Sequence, residues 1–208
     1  MRKLDINSMI MYIYVKRILD VLFSLVLLPL FFIVFIIVGL IILLEDKGSI
    51  IFYSKRLGKD GRIFTMYKFR TMIMNAPDIR LADGSTYNSE DDPRITRIGR
   101  ILRKTSIDEL PQILNVIKGD MSIIGPRPDP VDWIDRYTEL QKRKLLVLPG
   151  ITGYNQAYYR NSGDGEQVFE RDDYYVSHLS FCLDVRVFFK TIQTIILRKN
   201  IYVDDTRK

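Results

Sequence analysis

The chain has 208 residues, a net charge of +6 and a pI near 9.3, which allows one domain of ordinary size and one additional element. The positive charge favours anionic partners: nucleic acid, acidic lipid or a phosphorylated substrate. One cysteine, Cys182, excludes an internal disulfide, and with one histidine, His178, no ligand set for a structural zinc exists. Any metal is expected to be a hard cation such as Mg²⁺ on carboxylates.

The segment of residues 21–44 contains no charged side chain in 24 residues. As a helix it would be about 36 Å long, enough for a hydrocarbon core of roughly 30 Å. Its length, with no small-residue cleavage site after it, disfavours a cleaved signal peptide. We therefore expect an N-terminal membrane unit of residues 1–46, followed by one compact domain of residues 47–208.

Basic residues flank this segment on both sides, four within residues 2–17 and seven within residues 47–70. Since the positive-inside rule keeps such flanks on the cytoplasmic side, a helix that enters and turns back is one interpretation. Pro29 provides a kink, and Ser24 could bond to part of the freed backbone. The other interpretation is a simple spanning helix with a tolerated proline, and the flanks alone do not decide between them.

The sequence after the membrane segment predicts a β-hairpin, a loop and two helices. Residues 49–69 read as two apolar-rich strands around a turn at Gly58–Gly61. The polar residues 75–91 predict a surface loop. A second apolar helix with basic residues is predicted at residues 184–199, either in the core or at the membrane interface.

A basic amphipathic helix is predicted to start at Asp92 as the cap, with Pro93 at its first position. Apolar residues recur on one face from Ile95 to Leu102. The basic residues around the rest are Arg94, Arg97, Arg100, Arg103 and Lys104. After a membrane segment this helix favours an anionic lipid surface; without one, a solvated surface helix would be the default.

Two adjacent acids, Asp108 and Glu109, permit two interpretations. Ser106, three residues before Glu109, matches a capping box, and Asp108 in the first turn would complement the helix dipole. Pro111 fits a cap less well, because it lacks the N–H for the first full turn. The alternative is that the two acids form a reaction centre.

The cations around the acid pair suit phosphate chemistry. Arg127 lies between two prolines, which stiffen it for a bidentate phosphate contact. Lys68 and Arg70 are alternate residues, expected on one strand face. A carboxylate can attack phosphorus when cations screen the incoming charge, and a neighbouring carboxylate can hold the metal.

Several motifs together resemble the bacterial sugar transferases, the small monotopic phosphoglycosyl transferases that begin glycan assembly. The motifs are KRILD (16–20), YKFRTM (67–72), the long block at 92–128 and PGITG (149–153). The resemblance extends from about residue 16 to about residue 191. It implies a mainly helical α+β fold. A re-entrant membrane helix would precede a catalytic domain with a β-hairpin and interfacial helices, on the cytoplasmic face of the inner membrane.

The resemblance also implies a reaction: transfer of a sugar-1-phosphate from a UDP-sugar to undecaprenyl phosphate, with release of UMP. Asp108 would be the nucleophile in a ping-pong route through a phosphosugar-aspartyl intermediate. Glu109, with Asp108, would hold Mg²⁺. The substrate-binding residues would be Lys68, Arg70, Arg94, Arg103, Arg127, Tyr154 and Gln156.

Two departures from the family pattern stand out. Pro29 comes slightly earlier than the usual Ser-Pro kink, which leaves the kink position and the role of Ser24 open. After PGITG the chain reads Tyr154-Asn155-Gln156 where the family usually has Trp-Ala-Gln. Tyr154 can still offer an aromatic face to a base or sugar, but the sugar itself is not identified.

An alternative function is a non-catalytic, membrane-anchored protein that binds acidic lipid or another polyanion. Nucleic acid is not expected, because the aromatic residues fall in apolar strands and helices rather than between basic residues. A homodimer is compatible with the sequence.

Overall fold

The computed structural model describes residues 6–80, 87, 89, 91–160 and 165–197, with the backbone alone for residues 6–10. The helices are α1 (Ile6–Asp46), α2 (Arg97–Thr105), α3 (Gln112–Lys118), α4 (Glu139–Lys142), α5 (Tyr154–Tyr158), α6 (Gly165–Ser177) and α7 (Phe181–Leu197). The strands are β1 (Ile51–Leu57), β2 (Ile63–Phe69), β3 (Ser122–Ile124) and β4 (Gly150–Thr152). The predicted mainly helical fold with a β-hairpin is confirmed.

The long helix α1 is uninterrupted for 41 residues, Pro29 included. One stripe along it packs against the rest of the chain. The buried residues of this stripe are Asp20, Ser24, Phe31, Val38 and Ile42. Ser24 is fully buried, and its hydroxyl has no hydrogen-bond partner among the described residues. The structure therefore does not show the predicted bond from Ser24 to the backbone that Pro29 frees.

The opposite face of α1 is apolar and exposed, with Val26 77% and Leu44 83% accessible. Within the described residues, α1 is the one helix long and apolar enough to cross a membrane. Exposed apolar surface of this extent is stable in lipid rather than in water. The apolar segment predicted from the sequence is thus a single long helix with one packed face and one lipid-compatible face.

Both ends of α1 make polar contacts with later parts of the chain. Near its N-terminal end, Lys16 forms an ion pair with Asp184 of α7 at 2.7 Å. At its C-terminal end, the Asp46 carboxylate accepts two hydrogen bonds from the Arg70 guanidinium, at 2.5 and 2.6 Å. Glu45 also accepts from the Arg97 N–H at the start of α2, at 2.8 Å. These contacts attach the long helix to α7 near one end, and to Arg70 and the start of α2 at the other.

The predicted hairpin is confirmed. β1 and β2 pair antiparallel from Ile51 opposite Phe69 to Leu57 opposite Ile63, with a short 3₁₀ turn at Lys59–Gly61 between them. The predicted loop at 75–91 lies partly outside the described residues.

The predicted start of the basic helix is wrong. α2 begins at Arg97, and Thr96 is its N-cap, accepting a hydrogen bond from an N–H of the first turn. Asp92 instead binds the Arg94 guanidinium at 2.6 Å, and both residues are buried. Asp92 and Pro93, which resemble a helix start in the sequence, therefore do not cap α2. Asp92 belongs to a buried ion pair that precedes the helix.

The packing of α2 depends on Gly99. A Cβ at Gly99 would lie 2.0 Å from the carbonyl oxygen of Thr71, so the helix and the segment after β2 meet backbone to backbone. The Thr96 N–H donates to the same carbonyl at 3.1 Å. Leu102, 2% exposed, extends the contact into the core. The N-terminal half of α2 is thereby held beside the segment that follows β2.

A second, parallel strand pair joins β3 and β4 and was not predicted. The Gly125 N–H donates to the Thr152 carbonyl at 2.8 Å, and the Gly150 N–H donates to the Pro126 carbonyl at 2.9 Å. A Cβ on Gly150 would lie 2.1 Å from the Gly125 nitrogen, so glycine is required for this approach. The pair fixes the start of the Pro126–Pro128 segment.

The sequence left open whether the helix now seen as α7 lies in the core or at the membrane interface; in the structure, one face of α7 packs in the core and another is apolar and exposed. Val187 is fully buried in a core cluster, whereas Phe189 and Ile196 are 64% and 72% exposed. The predicted range 184–199 starts three residues late, and residues 198 and 199 lie outside the described residues.

A buried ion cluster holds the far end of the Pro126–Pro128 segment. The Lys144 ammonium, with a side chain only 4% exposed, lies 2.7 Å from the Asp129 carboxylate and 2.9 Å from the Asp172 carboxylate. The hydroxyl of Tyr137 also donates to Asp129. Burial opposes the charge of Lys144, but the two carboxylates outweigh it and raise the pKa of Lys144.

Replacing Lys144 with Met is expected to destabilise the protein by about 3–5 kcal/mol, because two buried carboxylates lose their cation. Denaturant unfolding in detergent micelles measures this. Lys142→Met is the matched control, since Lys142 pairs at 2.7 Å with Glu139, whose side chain is 89% exposed; its cost should stay below about 1 kcal/mol. Equal effects of the two changes would contradict the structural role of the cluster.

Candidate active site

The acid pair lies in a 3₁₀ turn, Ile107–Glu109, between α2 and α3. Ser106 has a left-handed conformation, with φ 59° and ψ 17°, and its side chain makes no capping bond. The capping-box interpretation is therefore wrong, and Pro111 rather than Ser106 precedes α3. The turn projects two adjacent carboxylates from the junction of two helices, with Asp108 only 9% exposed.

Glu109 is held by two cations from separate parts of the chain. Lys68, near the end of β2, donates to its Oε1 oxygen at 2.7 Å, and Arg127 donates to the same oxygen at 3.1 Å. The Lys68 side chain is 15% exposed and the Arg127 side chain 52%. One cation is thus enclosed in the site, and the other faces its opening.

Asp108 differs from its neighbour in having no hydrogen bond or ion pair among the described residues. Burial raises the pKa of Asp108 to about 6, a shift that the charge of Lys68 opposes and the charge of Glu109 supports. Burial also acts to raise the pKa of Glu109, but Lys68 and Arg127 outweigh it and hold that pKa well below its usual range. The two acids thus have different properties: Glu109 is the more acidic carboxyl and is paired with two cations, whereas Asp108 is the more basic one and has no partner among the described residues.

Arg103 lies at the C-terminal end of α2, close to this turn. Its Nε donates to the hydroxyl of Thr71 at 2.9 Å, and its charge lowers the pKa of Asp108. The backbone contact between Gly99 and Thr71 therefore positions the arginine as well as the helix. Lys68, Arg103 and Arg127 are the sequence-predicted cations that the structure brings to the acid pair.

Arg70 and Arg94, also predicted at the substrate, are bound elsewhere. Arg70 follows the end of β2 and binds Asp46 and the Ser49 carbonyl, with 6% of its surface exposed. Arg94 is 4% exposed and binds Asp92. Strand alternation from Lys68 does not extend to Arg70, because β2 ends at residue 69. In this structure both arginines connect segments of the fold.

The residues after PGITG form the short helix α5. Tyr154 packs its ring on Tyr158 and Tyr174, with ring centroids 4.8 and 4.9 Å apart. The amide of Gln156 is buried and has no hydrogen-bond partner among the described residues. Arg160, just beyond α5, donates to the Ser106 hydroxyl at 3.3 Å, which connects this helix to the acid turn. An unsatisfied buried amide here leaves donors and acceptors for a bound molecule.

The donor set of the acid pair fits Mg²⁺. Within the described residues no group of three or more His, Cys, Asp or Glu side chains could enclose a metal. Mg²⁺ is usually bound by one or two carboxylates, with substrate phosphates and water completing its shell. Within the part of the chain that the structure describes, the Asp108 carboxylate has no hydrogen-bond or ion-pair partner, and Lys68 and Arg127 both bind Oε1 of Glu109 rather than its second oxygen. Two carboxylates are therefore available to a metal that arrives with a phosphorylated ligand.

Comparison with known proteins places this site in a family. Residues 11–198 match the family model described as "Bacterial sugar transferase". A UDP-N-acetylgalactosamine-undecaprenyl-phosphate N-acetylgalactosaminephosphotransferase of Aeromonas hydrophila is 39% identical over 89% of this chain and 44% of its own length. An undecaprenyl-phosphate galactose phosphotransferase of Salmonella typhimurium is 37% identical over 76% of this chain and 36% of its own length.

A third relative, the uncharacterized sugar transferase EpsL of Bacillus subtilis, is 44% identical over 74% of each chain. The chain spans less than half the length of the Aeromonas and Salmonella relatives. The family match covers nearly the whole chain and includes the acid turn, α3 and the Pro126–Pro128 segment. This chain therefore belongs to the bacterial sugar transferase family.

Proposed function

We propose that this protein transfers a sugar-1-phosphate from a UDP-sugar to undecaprenyl phosphate, as the first membrane step in the assembly of a bacterial glycan. UMP leaves, and undecaprenyl diphosphate-sugar is the product. The names of the similar Aeromonas and Salmonella proteins support the two substrates. The apolar face of α1 supports a lipid-borne acceptor, because insertion of this face into a membrane would place the site close to the lipid.

The observation that carries the proposal is the contrast within the acid pair. An acid that serves only as a helix cap needs neither burial nor neighbouring cations. Here Asp108 is buried and has no partner among the described residues, while Lys68 and Arg127 converge on the adjacent Glu109. A more basic carboxylate is a better nucleophile, and nearby cations screen the approach of a phosphate. The arrangement suits attack by Asp108 on phosphorus.

The reaction proceeds in two displacements at the same phosphorus atom. In the first, a carboxylate oxygen of Asp108 attacks the phosphorus that carries the sugar, and the bond to the bridging oxygen of UMP breaks. In the second, a phosphate oxygen of undecaprenyl phosphate attacks that phosphorus, and the bond to Asp108 breaks. Lys68, Arg103 and Arg127 attract and orient the phosphates, and Asp108 ends as the free carboxylate.

Asp108 and Glu109 would hold Mg²⁺ together with the donor phosphates. When bound, the metal supplies further neutralisation of the diphosphate charge. Glu109 suits this role because the pKa held low by Lys68 and Arg127 keeps it ionised. Because Lys68 and Arg127 both bind Oε1 of Glu109, they also fix the orientation of its second carboxylate oxygen.

The direct test is UMP release by the purified protein in nanodiscs, with Mg²⁺, undecaprenyl phosphate and a panel of UDP-sugars. UDP-galactose and UDP-N-acetylgalactosamine are the first donors to try, given the relatives' names. We expect release that depends on both the donor and the lipid phosphate. If no donor supported release while the protein bound acidic vesicles, the non-catalytic polyanion-binding function would be favoured instead.

The rate of transfer is expected to fall as the pH drops through about 6, the pKa that burial gives Asp108. Only the ionised carboxylate attacks, so each further pH unit should reduce the rate about tenfold. Glu109 stays ionised over this range because its pKa is held low, which leaves Asp108 as the group that titrates. A pH profile of single-turnover UMP release measures this, and a rate that stayed level well below pH 6 would contradict it.

We further propose that α1 bends at Pro29 within its continuous helix, so that it enters the membrane and returns to the same, cytoplasmic face. The support is that Lys16 and Asp46, near its two ends, both form ion pairs with residues of the segment 47–208, which we take as one domain on a single side of the bilayer. Single cysteines at the exposed positions Tyr14 and Lys47, in a Cys182→Ser background, test it with an impermeant maleimide. Both sites should label in inverted vesicles only; labelling from opposite sides would mean a spanning helix.

A further inference from the structure

Asn115, in the middle of α3, is fully buried and makes two hydrogen bonds to the backbone of β2. Its Oδ1 accepts from the Tyr67 N–H at 3.1 Å, and its Nδ2 donates to the Thr65 carbonyl at 2.7 Å. These two backbone groups belong to the edge of β2 that faces away from β1. The side-chain amide thus pairs with the strand edge as a further strand would.

This pairing satisfies an edge that the two-stranded hairpin leaves open. Buried backbone groups without partners are costly, so the edge of β2 requires a donor and an acceptor at this spacing. An asparagine amide offers both on one planar group. α3 is therefore attached to β2 in a fixed register, and sliding by one residue would break both bonds.

The register of α3 on β2 matters because the ion pair between Lys68 and Glu109 joins these two elements: Lys68 belongs to β2, and Glu109 precedes α3. Lys68 directly follows Tyr67, and Glu109 lies three residues before α3 begins. The contact between them, Nζ to Oε1 at 2.7 Å, lies one residue beyond Tyr67 on one side and six residues before Asn115 on the other. Next to Asn115, Arg17 of α1 donates to the Val116 carbonyl at 2.7 Å and to the Ile117 carbonyl at 3.2 Å, so α1 also holds the C-terminal half of α3.

We propose that Asn115 is a positioning residue for the transfer reaction: its amide bonds to β2 set the distance between Lys68 and the acid pair. This inference rests on the proposed function for its effect on rate. The geometric part, that Asn115 keeps Lys68 on Glu109, stands without it. Asn115 does not contact the reacting atoms and acts only through Lys68 and the acid turn.

A purely structural role for Asn115 is the competing explanation, and Val116→Ala is the control that separates the two. Val116 is the next residue, is equally buried, and packs in a cluster with Phe64 and Met66. Its side chain packs against β2 without any polar bond to the strand. Val116→Ala should lower thermal stability without releasing Lys68.

The first test is the reactivity of Lys68 towards acetic anhydride, measured by peptide mass spectrometry on the full-length protein in nanodiscs. A lysine paired with a carboxylate in a partly enclosed site reacts slowly. In Asn115→Leu we expect the labelling of Lys68 to rise several-fold relative to that of exposed Lys55, and in Val116→Ala to stay at the wild-type value. Unchanged labelling in Asn115→Leu would overturn the inference.

The second test is kcat for UMP release, measured at one pH on protein shown to be folded. A misplacement of about 1 Å can reduce kcat about 10²-fold, so Asn115→Leu should lower kcat on this scale. Val116→Ala should keep the wild-type kcat, and a wild-type kcat in folded Asn115→Leu would also overturn the inference.

Asn115→Ser is the second variant if Asn115→Leu does not fold, because a smaller polar side chain leaves room for water on the strand edge. Both measurements apply to it with the same expectations. The proposed transfer reaction and the positioning role of Asn115 can be refuted independently of each other. A wild-type protein that releases no UMP refutes the proposed function, whereas the labelling of Lys68 still decides the role of Asn115.

Discussion

Replacing Asp108 with Asn is expected to reduce turnover by at least about 10⁴-fold, the scale on which loss of a nucleophile lies. The amide keeps the size of the side chain but cannot form the acyl-phosphate bond, so the first displacement stops. Because Asp108 has no hydrogen bond or ion pair among the described residues, the change removes no fold contact. We expect wild-type thermal stability, and UMP release by the variant measures the loss.

The matched control for this variant is Asp60→Asn. Asp60 lies on the exposed hairpin turn with φ 56°, a conformation that asparagine tolerates well. It should keep wild-type turnover. Membrane binding should be the same for wild type and both variants, since α1 is unchanged. If Asp108→Asn kept most of its turnover, the nucleophile assignment would be wrong, and another group or the acceptor itself would have to attack.

Replacing Lys68 with Met is expected to lower kcat by about 10²–10³-fold, the usual loss when one preorganised charge is removed from a site. Two effects combine. The donor phosphates lose an enclosed cation, and Glu109 loses the shorter of its two ion pairs, at 2.7 Å. Since Lys68 also lowers the pKa of Asp108, the acidic limb of the rate profile should move to higher pH.

Lys55→Met provides the control on the same hairpin. The Lys55 ammonium donates to the Thr65 hydroxyl at 2.9 Å on an exposed part of the strand pair, so its loss should leave kcat and the pH profile unchanged. Turnover by both variants over a range of pH separates a local charge effect from a general change in net charge. A Lys68→Met variant with the wild-type acidic limb would place Lys68 outside the electrostatics of the acid pair.

Features that depend on neighbouring residues could be predicted from the sequence. The hairpin follows from the turn residues at 58–61 between two apolar strands, and the long apolar helix from 24 uncharged residues. The family motifs implied that Lys68, Arg103 and Arg127 bind the substrate, and the structure brings these three cations to the acid pair. Spacing alone had left the cap and the reaction centre as alternatives. The conformation at Ser106, set by the junction of two helices, excludes the cap.

Features that depend on distant residues were missed. The pair of β3 and β4 joins two three-residue strands separated by more than twenty residues, too short to give a periodic pattern. The start of α2 was misplaced because Asp92 and Arg94 form a buried ion pair, which tertiary packing creates. Arg70 was expected on the site by alternation, but its partner Asp46 comes from the end of α1. No sequence pattern indicated the role of Asn115, since this role depends on the edge of a strand some fifty residues away.

The measurement that tests the central claim most directly is the intact mass of the protein after incubation with Mg²⁺ and a UDP-sugar, without the lipid acceptor. We predict a gain equal to one phosphosugar in the wild type and no gain in Asp108→Asn, and the size of the gain would identify the sugar. If a donor supported UMP release only with undecaprenyl phosphate present and never produced the gain, transfer would be direct, and the covalent route through Asp108 would be contradicted.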